Sequence, residues 1–209
     1  MKTVKEYRQE KDDLFQIERY KSKYPDYYSF INDFQKMFYE EDHKEVTMGT
    51  DYGFYYFLTD HILHKKPKHI VEYGPGFTTV LMHRLSQDLD YDLKVTSYED
   101  TPLWFDRLND MKCNPFGTMK LVDLKLEKET DNFYYCYYDH SLEDHRDVDF
   151  VIIDGPGKVI INDISKRNIN INLDMMEKSF DREIEHIIDG RHDTHLFYNI
   201  NYKQRLCEQ

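Results

Sequence analysis

The segment Ile70-Val71-Glu72-Tyr73-Gly74-Pro75-Gly76-Phe77-Thr78-Thr79 constrains this chain most. A short apolar run reaches a glycine turn, and the turn opens a stretch with Val80, Leu81, Met82 and Leu85 at helical spacing. That is the layout of a strand, a tight turn and a helix N-terminus. The first N–H groups of a helix have no partner inside it, so a polar ligand can be held there, and glycine admits it close to the backbone. The turn alone is weak. It is sharpened by Glu72, two residues before the first glycine, and by Glu99 at the end of the next apolar run.

From residue 68 onward, strand and helix patterns alternate. Lys68–Tyr73 reads as a strand, Phe77–Asp88 as a helix and Leu93–Glu99 as a second strand. Pro102 then sits in the first turn of a helix whose apolar face carries Leu103, Trp104, Leu108 and Met111. After a Pro115-Phe116-Gly117 turn, Met119–Leu126 reads as a third strand. Phe133–Tyr138 reads as an additional strand or an extension of the sheet edge. Phe150-Val151-Ile152-Ile153 is a continuous apolar run, as in a strand buried on both faces. Leu173–Phe180 reads as a short helix, Glu183–Asp189 as a fifth strand, and residues 191–203 as a helix. The alternation predicts an α/β, Rossmann-like fold: a mostly parallel sheet flanked by helices, with the ligand outside the carboxyl ends of the strands.

Residues 1–66 differ. Leu14, Ile17 and Tyr20, then Phe30, Ile31, Phe34, Met37 and Phe38, recur at helical spacing. After a polar turn at Thr47–Asp51, so do Phe54, Phe57, Leu58, Ile62 and Leu63. They predict an N-terminal helical cap on a Rossmann-like domain over 67–209. A length of 209 residues suits one compact unit.

A formal net charge of -12 argues against a nucleic-acid-binding face, which needs clustered Lys and Arg. The run His64-Lys65-Lys66-Pro67-Lys68-His69 reads as a solvated helix end. Three dispersed cysteines form neither a zinc set nor a disulfide framework. No run approaches the ~18 apolar residues of a membrane span, and Met1–Asp13 is charged, without the apolar core of a signal peptide. A cytoplasmic location is expected.

The glycine turn departs from the dinucleotide pattern, because Thr79 stands where a third glycine would be. A carboxylate at Glu72 would repel a pyrophosphate and suit a cation. Glu99, 23 residues after Gly76, stands where a carboxylate could accept both hydroxyls of a ribose. Glu72-Tyr73-Gly74-Pro75-Gly76-Phe77-Thr78-Thr79 resembles the first motif of class I S-adenosylmethionine-dependent methyltransferases. Ser97-Tyr98-Glu99-Asp100 resembles their second. Asp149-Phe150-Val151-Ile152-Ile153-Asp154-Gly155-Pro156 resembles the fourth-strand segment of small-molecule and O-methyltransferase-like members. The resemblance covers roughly residues 50 to 190. It implies S-adenosylmethionine as cofactor, with Glu72 near its methionine end and Tyr73, Gly74, Pro75, Gly76 and Thr78 forming the turn around it. It also implies Glu99 on the ribose, Asp139 on the adenine amine, and a small-molecule acceptor methylated at oxygen.

An oxygen nucleophile needs a base or a metal to lower its pKa. Asp154 and Asp189 fall at neighbouring strand ends. His192, with Arg191, Asp193 and His195, forms the densest polar cluster after the fifth strand. These give Asp154, Asp189 and His192 as catalytic candidates. Metal-dependent O-methyltransferases hold a divalent cation with acids at these strand ends and an adjacent asparagine. Here Gly190 follows Asp189, so the set is incomplete and no metal ligand is assigned; hard oxygen donors would favour Mg²⁺ if a site existed. The fold usually adds two further strands after the fifth. Either His195–Lys203 supplies one, or the sheet edge is shortened. A shortened sheet fits the alternative that the chain is an inactive relative acting as a ligand-sensing or protein-interaction module.

Overall fold

The structure, a computed structural model, describes residues 4–40, 51–110, 119–157, 159–161 and 164–207. The expected Pro115-Phe116-Gly117 turn, and the turn at residues 47–50, lie outside these. By internal contacts the chain divides into two units, one of Met1–Lys66 with Gly76–Asp92, the other of Pro67–Pro75 with Leu93–Gln209.

The first unit is helical: α1 (Val4–Lys23), α2 (Pro25–Glu40), α3 (Tyr52–Lys65) and α4 (Phe77–Asp88). Pro25 opens α2, where its missing N–H costs nothing. Asp51 caps α3 by accepting from the Phe54 N–H at 3.0 Å. Phe77 meets Phe34 and Phe38 edge-on, at centroid distances of 6.0 and 5.5 Å. The Tyr20 hydroxyl bonds Thr59 Oγ1 at 3.0 Å, so this buried polar pair is satisfied.

The second unit carries the sheets. Its strands are β1 (His69–Tyr73), β2 (Lys94–Glu99), β3 (Met119–Leu121), β4 (Leu124–Glu129), β5 (Phe133–Tyr138), β6 (Phe150–Ile153), β7 (Val159–Ile161), β8 (Ile164–Asn170) and β9 (Glu185–Ile188). Its helices are α5 (Pro102–Asp110), α6 (Asn172–Phe180) and α7 (His192–Cys207). One sheet has the order β3-β2-β1-β6-β9, parallel throughout. The central strands β1 and β6 are buried at every position, which is why they read as apolar runs. The α/β Rossmann-like expectation holds.

Strand alternation divides that sheet's side chains between two faces. Val71, Tyr73, Tyr98, Val151 and Ile153 share a core with Leu173 and Met176 of α6 and Tyr198 of α7. Glu72, paired between Ser97 and Ile152, points to the opposite face.

One expectation needs correction, and two open alternatives resolve. Met119–Leu126 is two strands in different sheets: the Val122 N–H bonds Glu99 O, while Asp123 O accepts from the Asp139 N–H, so the chain changes sheet there. Phe133–Tyr138 does not extend the first sheet. It is an inner strand of a second sheet, ordered β4-β5-β8-β7. The hairpin β7–β8 was not anticipated, and it gives β5 a parallel partner in β8. Residues 191–203 are helical as predicted, lying in α7 apart from its first residue, so His195–Lys203 adds no strand. No helix among the described residues is long and apolar enough to cross a membrane.

Candidate functional site

The order β3-β2-β1-β6-β9 runs outward in both directions from the β1–β6 pair. In open parallel sheets ligands bind outside the carboxyl ends of the strands, where the order reverses. β1 ends there in Glu72-Tyr73-Gly74-Pro75 and β6 in Asp154-Gly155. Gly74 has φ +87, and a Cβ on it would lie 2.5 Å from the Gly155 nitrogen. A Cβ on Gly155 would in turn strike the Tyr138 hydroxyl and the Gly74 backbone. The two glycines therefore let the loops after β1 and β6 touch.

Glu72 is fully buried and its Oε2 accepts from Ser97 Oγ at 2.6 Å. Tyr73 faces away from it into the core, where its hydroxyl pairs with His140 Nε2 at 2.9 Å. Pro75 O accepts from Trp104 Nε1 at 2.8 Å, tying the turn to α5. Gly76 and Thr78 belong to the helical unit. There the Gly76 N–H donates to Thr79 Oγ1 at 2.9 Å at the start of α4, and Thr78 is buried.

Glu99 ends β2, the neighbour of β1, and is 5% exposed. Its Oε1 accepts the N–H groups of Asp100 and Thr101, at 3.1 and 2.8 Å. Burial outweighs those bonds and, with Asp100 adding repulsion, pushes its carboxyl up to about 7. Burial raises Asp100 as well. Beside them the Tyr138 hydroxyl is buried without a hydrogen bond of good geometry, and its ionisation is suppressed by burial and by the Asp100 and Glu99 charges.

At the end of β6, burial pushes Asp154 up to about 7; Arg191 opposes this, while Asp189 and Glu72 add to it. Arg191 donates from Nε to the Asp154 carbonyl at 2.6 Å and from Nη2 to Asp154 Oδ1 at 3.3 Å. Asp189 ends β9, its N–H on Ile153 O at 3.0 Å. Glu72 and Asp189 are thus each within electrostatic reach of Asp154. Asp139 is exposed at the end of β5, 3.8 Å from Lys125, and His192 is exposed at the start of α7. Neither bonds the acids above. His195 takes a 3.0 Å contact from Asn199. Among the described residues no group of three or more His, Cys, Asp or Glu is placed to hold a metal ion. At Asp154 the positive charge comes from Arg191 instead.

Two site residues carried no sequence signal of their own. Tyr138 lay in an aromatic run that reads as packing. Arg191 was one member of a polar cluster, and only the adjacency of β6 and β9 brings it to Asp154. A buried histidine layer was missed too. His145 Nε2 pairs with the Tyr98 hydroxyl at 2.6 Å, His145 Nδ1 lies 3.3 Å from His69 Nε2, and His69 Nδ1 pairs with Asp147 at 2.7 Å.

No family model matches the sequence, and no curated protein matches it. Among solved structures the chain is similar to the S-adenosylhomocysteine-bound methyltransferase of Podospora anserina, at 12% identity and a TM-score of 0.46. The match covers 74% of this chain and 60% of that one.

Proposed function

We propose that this chain binds S-adenosylmethionine at the carboxyl ends of β1 and β2 and transfers its methyl group to the oxygen of a small-molecule acceptor. The observation that carries the reading is Glu99. It is a buried carboxylate beside the glycine turn, with one oxygen pinned by two backbone N–H groups and, among the described residues, no cation bonded to it. A vicinal diol is a suitable partner, since its hydroxyls donate to a carboxylate that has lost water. The surrounding charge also supports it. Glu99, Asp100, Asp154 and Glu72 gather negative charge there, with Arg191 acting on Asp100 and Asp154, a setting that disfavours a pyrophosphate and tolerates a cation.

When bound, the cofactor supplies a methyl carbon on a sulfonium. In this reading Glu99 holds the ribose and Asp139 is the candidate for the adenine amine. Glu72, already bonded to Ser97, acts on the methionine ammonium by charge or through water. Asp154 would take the proton of the acceptor hydroxyl as that oxygen is methylated. A carboxyl near 7 is matched to that task at neutral pH. Asp189 supports the raised value, and His192 is the alternative base.

Calorimetric titration with S-adenosylhomocysteine and with NAD tests the reading. We expect binding of the first alone, weakened at least about tenfold by Glu99→Ala, since charge-assisted hydrogen bonds are worth ~1.5–3 kcal/mol. Preference for NAD, or unchanged affinity in the variant, would refute it.

A further inference from the structure

Arg191 is the cation that the fold brings to the end of β6, and its main chain is fixed on both sides. The Asp189 N–H is held on Ile153 O at 3.0 Å, so the chain leaves β9 beside β6. Gly190, with φ +60, then turns it through the left-handed region that favours glycine. Arg191 O accepts the His195 N–H at 2.9 Å, which anchors Arg191 at the start of α7. From there its side chain reaches Asp154, 37 residues away in sequence.

The guanidinium divides its donors unequally. Nε donates to the Asp154 carbonyl at 2.6 Å, and Nη2 converges on the same oxygen. Nη2 also reaches carboxylate Oδ1, at a longer 3.3 Å. The fork that an arginine commonly closes on a carboxylate is therefore closed on a main-chain carbonyl. A carboxylate held in such a fork has both oxygens engaged. Here the tighter hold is on the backbone, and the Asp154 side chain stays 34% exposed. Of the charges acting on Asp154, that of Arg191 is the largest, and it works against Asp189 and Glu72. The same charge acts on Asp100, just past the end of β2.

We propose that Arg191 is a positioning residue for Asp154: its fork fixes the main chain at the end of β6, and its charge stabilises a carboxylate that stays open to a ligand. On the methyl-transfer reading above, which this proposal presupposes, that carboxylate takes the proton of an acceptor hydroxyl. Without Arg191, burial and the Asp189 and Glu72 charges would hold Asp154 protonated at neutral pH. A protonated carboxyl cannot serve as a base.

The test is the titration of the Asp154 carboxyl, followed by carbon NMR in the full chain, for wild type, Arg191→Gln and Arg191→Lys. The midpoint should rise by roughly 1 pH unit in Arg191→Gln, since an opposite charge within ~4–6 Å moves a carboxyl by about 1–3. Arg191→Lys restores the charge without the fork, and should recover roughly half of that rise. In the wild type, the Arg191 Nε resonance should titrate with the same midpoint as the Asp154 carboxyl, a measurement that needs no variant to fold. An Arg191→Gln midpoint equal to wild type, a lysine variant displaced as far as the glutamine one, or two separate midpoints in the wild type, overturns the proposal. Calorimetry with S-adenosylhomocysteine runs alongside. A raised midpoint in a chain that does not bind it would sink the methyl-transfer reading and leave the tie between Arg191 and Asp154 standing. Binding in a chain whose Asp154 ignores Arg191 would do the reverse.

Discussion

Glu99 is a carboxylate whose surroundings oppose its charge. Its pKa is raised from 4.5 to about 7, chiefly by burial. Between those values the folded chain binds more protons than the unfolded one, so this group's contribution to stability is complete below pH 4.5 and is lost as pH rises through about 7. Glu99→Gln keeps an oxygen for the two N–H groups and removes the charge. The variant should be more stable than wild type at pH 8 by about 1–3 kcal/mol, measured by urea unfolding. It should also lose S-adenosylhomocysteine affinity. A variant destabilised at pH 8 would mean that the charge is already compensated. Gly74 makes a second point at this scale. Its φ of +87 and the closeness of Gly155 are both incompatible with a side chain, so Gly74→Ala should cost more than the ~1–3 kcal/mol of a strained backbone alone.

Among elements, the strands of the parallel sheet were legible because burial on both faces leaves a compositional mark, as in Phe150-Val151-Ile152-Ile153. The same holds for the glycine turn and for Glu99, which sit at strand ends that apolar runs define. The second sheet was harder to read. At Leu121-Val122 the apolar alternation shifts phase by a single residue, a slight mark for a chain that leaves one sheet for the other between Val122 and Asp123. β8 carries Lys166, Arg167, Asn168 and Asn170, so its strand character comes from its partners β5 and β7 rather than from its residues. Arg191 and Tyr138 enter the candidate site by the same route, through pairings that no local spacing records. The histidine layer depends on one such contact. Tyr98→Phe would leave His145 Nε2 buried without its 2.6 Å partner, at a cost of ~1–3 kcal/mol. A thermal melt matching wild type would show that the bond contributes little.

For the whole molecule, two sets of buried groups pull the pH dependence of stability in opposite directions. Burial, with neighbouring cations and histidines, lowers His145 to about 3, and burial is the leading cause of lowered values at His69 and His140 too. A histidine kept neutral in the fold gives stability that is present above its unfolded value near 6.5 and is lost as pH falls toward the folded one. His145 is enclosed by His69, His140 and Tyr98, with Lys94 and Lys120 adding positive potential, and the two histidines and two lysines each disfavour its protonation. Glu99 and Asp154 act the other way, and their penalty is complete only above about 7. Between pH 4.5 and 6.5 the gain from the histidines and the loss from the carboxyls oppose each other, so the ligand-free chain should show a broad optimum there, with the histidines setting the acid side and the carboxyls the decline toward pH 7. A diol bonded to Glu99 favours its charged form, so saturating S-adenosylhomocysteine should stabilise more at pH 8 than at pH 6. At a hundred times its Kd a ligand contributes about 2.7 kcal/mol; if that Kd is tighter above pH 7, the alkaline decline flattens. Melting temperatures from pH 4.5 to 9, with and without the ligand, make the comparison. A uniform shift across that range would mean that the ligand does not bond Glu99, and the diol assignment would have to move to another carboxylate of the same strand ends.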